Sequence, residues 1–139
     1  MSTVLGIDVG GSGIKGAPVD LEAGDFAEPR LRIVTPHPSS PKNVAAVISE
    51  IVANYADTIG DGPVGISLPA PIRHGVVAFM ANLDQKWTGL NAEEYLSDKL
   101  GRPVTVLNDA DAAGVAEVHF GAASGVHLGH TGGVGVVEY

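Results

Sequence analysis

The 139-residue chain contains no cysteine. That excludes a disulfide framework and any thiolate zinc site, and it is compatible with a reducing cytoplasm. Basic residues are scarce, with eight Lys and Arg against sixteen Asp and Glu, for a formal net charge of −8. A nucleic-acid-binding surface needs a basic face, so this balance argues against one. No apolar run approaches the roughly 20 residues of a membrane-spanning helix. The first apolar run is broken by Asp8, and no cationic segment precedes it, which reads against a secretory leader. What remains, 45% apolar and 17% charged residues, is the composition of a folded domain with a single core. The expectation is an acidic, cytoplasmic protein. Such a field repels phosphate, so a phosphate-rich substrate would need a local loop, a cation and a metal ion to hold it.

Residues 5–16, Leu-Gly-Ile-Asp-Val-Gly-Gly-Ser-Gly-Ile-Lys-Gly, supply such a place. An apolar strand carries Asp8, runs into Gly10-Gly11-Ser12-Gly13, and is followed by Lys15. Glycines can adopt positive φ and let backbone N–H groups converge on an anion. A lone carboxylate suits Mg²⁺, which is usually held by one or two carboxylates plus phosphate oxygens. The stretch from Gly11 to Gly16 also fits G-x-G-x-x-G, but that dinucleotide fingerprint requires a helix directly after the turn. Gly16 and Pro18 oppose a helix there. No Walker A sequence occurs. A β-hairpin turn is therefore expected, and its plainest reading is a Gly-rich hairpin without a ligand.

The run Asp8-Val9-Gly10-Gly11-Ser12-Gly13-Ile14-Lys15 resembles the first phosphate motif of sugar kinases of the actin-like ATPase superfamily, particularly the ROK group. In that superfamily a strand–turn–strand hairpin wraps the transferred phosphate, the same hairpin that Gly16 and Pro18 indicate locally. The resemblance implies that Gly10, Gly11, Ser12, Gly13 and Lys15 bind phosphate and that Asp8 positions Mg²⁺, directly or through water.

Hydropathy and capping signals predict strands over 3–9, 14–20 and 31–35. A helix should start at Ser39-Ser40-Pro41 and run to Gly60 on the period of Val44, Val47, Ile48, Ile51, Val52, Tyr55 and Ile59. Strands are expected over 64–68 and 76–80. Asn91-Ala92-Glu93-Glu94 opens a helix that ends at Gly101, and a strand over 104–107 leads to a helix over about 110–120. The order β-β-β-α-β-β-α-β-α is that of a mixed sheet with helices packed on it. It resembles the N-terminal lobe of the ribonuclease-H-like, actin-like α/β fold. Residues 1–123 are expected to form that lobe. Residues 124–139 read as a Gly-rich tail, the truncated or divergent start of a second lobe. His127 and His130 lie in this tail without a third ligand, so no zinc site is expected.

A second constellation, Asn108-Asp109-Ala110-Asp111-Ala112-Ala113, falls where a strand meets a helix. Ligands collect at the carboxyl ends of strands in such sheets. Either Asn108 or Asp109 could simply cap the helix, but two adjacent cap-type residues leave one spare. An ionised carboxylate there can accept the proton of an attacking hydroxyl. The run resembles the ROK segment that carries the catalytic aspartate, which implies that role for Asp109. The stretch from Gly65 to Ile72 resembles the sugar-side loop of these kinases. Asn82-Leu83-Asp84-Gln85-Lys86-Trp87 resembles the Asn-Leu-x-x-x-Trp stretch of the glucokinases, most closely those that use polyphosphate. Amides suit vicinal hydroxyls, so Asn82 and Asn108 are candidates for the sugar, together with Asp109. Asn82 reads equally well as a turn residue, Trp87 reads better as a core anchor, and Lys86 and Arg73 as solvated cations.

The resemblance as a whole implies phosphoryl transfer from polyphosphate, ATP or both to the 6-hydroxyl of glucose, with Mg²⁺. Partners would be the sugar and the donor, not nucleic acid or membrane, with a homodimer left open. Two other readings stand beside it. One is a catalytically incompetent lobe, because no second phosphate loop or sugar-binding carboxylate–histidine pair can be located and little activity is expected of this chain alone. The other is a sugar-sensing regulator, disfavoured because the phosphate hairpin begins at residue 5 and the charge is acidic.

Overall fold

A computed structural model of the chain describes residues 3–20 and 22–108. β1 (Thr3–Val9) and β2 (Gly13–Asp20) form the expected hairpin, in register from Thr3 opposite Asp20 to Val9 opposite Ile14. β5 (Val64–Leu68) runs parallel to β1, and β8 (Val104–Asn108) parallel to β5. The outer edge of β2 is shared by two short strands. β4 (Leu31–Val34) pairs along residues 13–16, and β3 (Asp25–Phe26) pairs at Val19 and Asp20. The mixed sheet thus runs β3-β2-β1-β5-β8, with β4 beside β3 on the same edge.

Pro18 explains that division. Its carbonyl accepts the Ala27 N–H at 2.9 Å. In an antiparallel strand a residue's N–H and C=O point the same way, so the donor that proline lacks falls in the gap between β4 and β3. A proline is tolerated where the ladder is already interrupted.

α1 (Pro41–Asn54) begins as the sequence predicts, with Pro41 in its first turn and the Ser40 hydroxyl accepting the Asn43 N–H at 3.3 Å. It buries Val44, Val47, Ile48, Ile51 and Val52. Gly16 is required by this packing, because a Cβ there would lie 2.7 Å from Cγ2 of Ile51. The helix does not run unbroken to Gly60. It turns off at Tyr55 (φ −110°, ψ 15°) and resumes as the single turn α2 (Ala56–Ile59). The Tyr55 hydroxyl donates to the Pro29 carbonyl at 2.6 Å. Burial pushes its pKa up from the ordinary tyrosine value, and the Glu28 carboxylate adds to the shift.

The strand expected over 76–80 is shorter than its apolar run. Only β7 (Val76–Val77) pairs, with β6 (Ile72–Arg73), through a two-residue turn in which His74 (φ 53°) and Gly75 (φ 82°) are left-handed. Asn91 caps α3 (Ala92–Leu100) by accepting the Glu94 N–H at 3.0 Å, and Gly101 ends it in the left-handed region. α3 packs against β8, where the Ser97 hydroxyl accepts the Val104 N–H and the Glu93 carboxylate accepts the Val106 N–H. Among the described residues no strand pairs with the outer edge of β8, and two of its N–H groups are accepted by these side chains. No helix among the described residues is long and apolar enough to cross a membrane.

Candidate functional site

Because β1, β5 and β8 are parallel, their carboxyl ends share one rim, the usual ligand crevice of such sheets. Register lines a polar row across the sheet just below it. Arg32 on β4 lies opposite Lys15 on β2, Lys15 opposite Asp8 on β1, and Asp8 opposite Ser67 on β5. Directly opposite residues on paired strands share a face, so these four belong to one side of the sheet. The Ser67 hydroxyl donates to Oδ1 of Asp8 at 2.7 Å. Ser67 is buried and Asp8 half-buried. A carboxylate fixed through one oxygen keeps the other available to a cation or a water molecule.

The hairpin turn closes at the top of this row with a Gly10 N–H to Gly13 carbonyl bond of 2.9 Å. Positive φ is not what its glycines provide. Among the described residues the left-handed glycines are Gly24, Gly60, Gly75, Gly89 and Gly101, with none in the turn. Close approach is the reason instead. A Cβ on Gly10 would stand 3.1 Å from the Gly13 carbonyl oxygen, and one on Gly13 would stand 2.6 Å from Cζ, Nε and Nη2 of Arg32. Two turn carbonyls are held from one side: Gly10 O accepts the Thr35 hydroxyl at 2.6 Å, and Ser12 O accepts Arg32 Nη2 at 3.2 Å. The buried Thr35 also donates its N–H to Ser12 O at 3.4 Å. Gly11 and Ser12 are exposed at the tip.

A second loop meets the turn. The Asn82 carbonyl oxygen lies 3.6 Å from where a Gly11 Cβ would be, and the Asn82 residue is exposed. This loop is fastened from below. Trp87, in a 3-10 turn (Gln85–Trp87), has no exposed surface, and its indole N–H donates to the Ser39 carbonyl at 2.8 Å. The Ser39 hydroxyl accepts the Asp84 N–H at 3.0 Å, and Gln85 Nε2 donates to the Met80 carbonyl. Trp87 is thus the core anchor that its size suggested, and Lys86 and Arg73 are exposed. Asn108 ends β8 beside Leu68, half-buried at the same rim. Asp109, the tail and the helix expected over 110–120 lie outside the described residues. Among the described residues no group of three His, Cys, Asp or Glu side chains is placed to hold a metal ion. Among the described residues Asp8 is the candidate ligand at the turn, which fits an ion held by one carboxylate and phosphate oxygens.

The profile of the ROK family matches residues 4–135. The chain belongs to the ROK family. It is 47% identical over 119 residues to the polyphosphate glucokinase of Mycobacterium tuberculosis strain H37Rv, covering 85% of this chain and 44% of that protein. Among solved structures it is similar to the inorganic polyphosphate/ATP-glucomannokinase of Arthrobacter sp. strain KM, with a TM-score of 0.82 and 43% identity over 91% of this chain and 51% of that one. It is also similar to a ROK family glucokinase from Streptomyces griseus in complex with glucose and AMPPNP, with a TM-score of 0.74 and 29% identity over 86% of this chain and 37% of that one. The ROK chain therefore spans about half the length, or less, of these relatives, and its fold is that of the ROK sugar kinases.

Arg32 has no place in the sequence-based site, and Ser67 enters it only as part of the Gly65 to Ile72 stretch, without a role of its own. Ser67 carried a weak signal, a hydroxyl inside a five-residue strand otherwise made of apolar residues and glycine.

Proposed function

We propose that the chain is the phosphate-binding lobe of a polyphosphate- or ATP-dependent sugar kinase acting on glucose. The observation that carries this reading is the polar row in which Asp8, fixed by Ser67, lies beside Lys15 directly below the glycine turn. Phosphoryl transfer demands little covalent chemistry from a protein, so positioning and charge stabilisation account for most of its catalysis. The turn at 10–13 cradles the transferred phosphoryl group with Lys15 against its oxygens. Asn82, on the loop that meets the turn, and Asn108, at the end of β8 on the rim, orient the sugar hydroxyls. The sugar 6-oxygen attacks the terminal phosphorus, the bond from that phosphorus to the leaving phosphate breaks, and Asp109 accepts the hydroxyl proton. Mg²⁺ held through Asp8 would neutralise charge on the donor phosphates. The similarity to a polyphosphate glucokinase and to an inorganic polyphosphate/ATP-glucomannokinase supports polyphosphate or ATP as donor and glucose as the sugar.

The test offers labelled polyphosphate or ATP with glucose and with mannose to protein that extends this chain to the length of its relatives. Asp109→Asn should reduce turnover by at least about a hundredfold, the low end of general-base contributions, while equilibrium glucose binding persists. Unchanged turnover removes Asp109 from the role.

A further inference from the structure

The placement of Arg32 is unusual for a surface arginine. Arg32 and Lys15 are directly opposite on adjacent strands, an arrangement of like charges that is unfavourable by itself. Neither has an ion-pair partner among the described residues, and the single carboxylate in their row, Asp8, already accepts the Ser67 hydroxyl. The Arg32 side chain nevertheless does not extend away from Lys15. It lies across Gly13, in the space a Cβ would occupy, and donates through Nη2 to the Ser12 carbonyl. The guanidinium has five N–H donors in a rigid fork suited to phosphate oxygens, and only this one bond engages it among the described residues.

A concentration of positive charge held against a phosphate turn, in a protein of net charge −8, calls for an anion longer than one phosphoryl group. We propose that Arg32, next to the Lys15 that faces the transferred phosphoryl group, forms a second anion subsite, which grips the donor phosphates beyond that group and so favours a linear polyphosphate over a nucleotide. This rests on the kinase reading above. Arg32 binds the donor and takes no part in proton transfer. Gly13 belongs to the same device, because its missing side chain is the slot in which the guanidinium lies.

The test is equilibrium binding of inorganic tripolyphosphate, long-chain polyphosphate and ATP to the 139-residue chain across a salt series. Arg32→Met should weaken long-chain polyphosphate about tenfold and ATP several-fold less, on the scale of a lost charge-assisted contact. It should also flatten the dependence of log affinity on log salt by about one unit, as loss of one phosphate contact does for other polyanions. Arg32→Lys should keep the salt slope while recovering only part of the affinity, because the fork is lost and the charge is not. A merely structural arginine would not produce that split, and Arg32→Lys carries the test alone if Arg32→Met fails to fold. Unaltered polyphosphate affinity and salt slope in Arg32→Met, alongside weakened binding in Lys15→Met, overturns this proposal and leaves the kinase reading standing. Absence of polyphosphate binding by the unmodified chain at low salt overturns both.

Discussion

The hairpin turn at 10–13 and the loop from 81 to 88 meet at the rim, but they are shaped by opposite means. The turn depends on what its residues lack. Without side chains at Gly10 and Gly13, its carbonyls can be held by Thr35 and Arg32 at short range. The loop depends on what one residue has: Trp87, fully buried, with its indole N–H on Ser39. The turn is thus easily altered in chemistry at little cost in stability, whereas the loop should lose both together. Ser39 and Thr35 flank the same short segment, so the two halves of the rim are tied to one stretch of chain between β4 and α1.

Three substitutions test that contrast, beginning with the largest effect. Trp87→Ala should cost about 3–5 kcal/mol, the range for truncating a buried aromatic side chain, and the loss should appear in chemical denaturation as a lower midpoint at unchanged slope. Ser39→Ala keeps the carbonyl that holds the indole but leaves the Asp84 N–H without its acceptor, and should cost about 1–2 kcal/mol. Gly13→Ala should change stability by less than about 1 kcal/mol, because the atoms it meets belong to the movable end of Arg32. It should nonetheless weaken polyphosphate binding as Arg32→Met does, read in the same titration. A Gly13→Ala variant that unfolds the chain while keeping its affinity would erase the distinction between the two regions.

The features legible in the sequence were those set by neighbours along the chain. Gly16 and Pro18 pointed to a hairpin where G-x-G-x-x-G alone allowed a helix, and β2 is a strand. Ser40-Pro41, Asn91 and Gly101 marked helix ends through local capping, and the helices begin or end there. What the sequence could not show was set by register between distant segments. Ser67 reaches Asp8 across 59 residues of chain, and Arg32 reaches the turn across 20. A strand pattern says which residues share a face, but not which partner lies opposite. The break at Tyr55 was hidden for a related reason: Tyr55 and Ile59 keep the helical period and both are buried, so the change of path leaves no mark in the apolar pattern.

The edge of β8 carries a consequence for how this sheet meets other chains. An unpaired strand edge is a template on which a further strand can add. Here Ser97 and Glu93 already accept the Val104 and Val106 N–H groups, so an incoming strand would have to displace two helix side chains before forming its first rung. Substituting both acceptors with alanine would open those two N–H groups, and pairing between copies of the lobe along β8 would then be expected to meet less resistance.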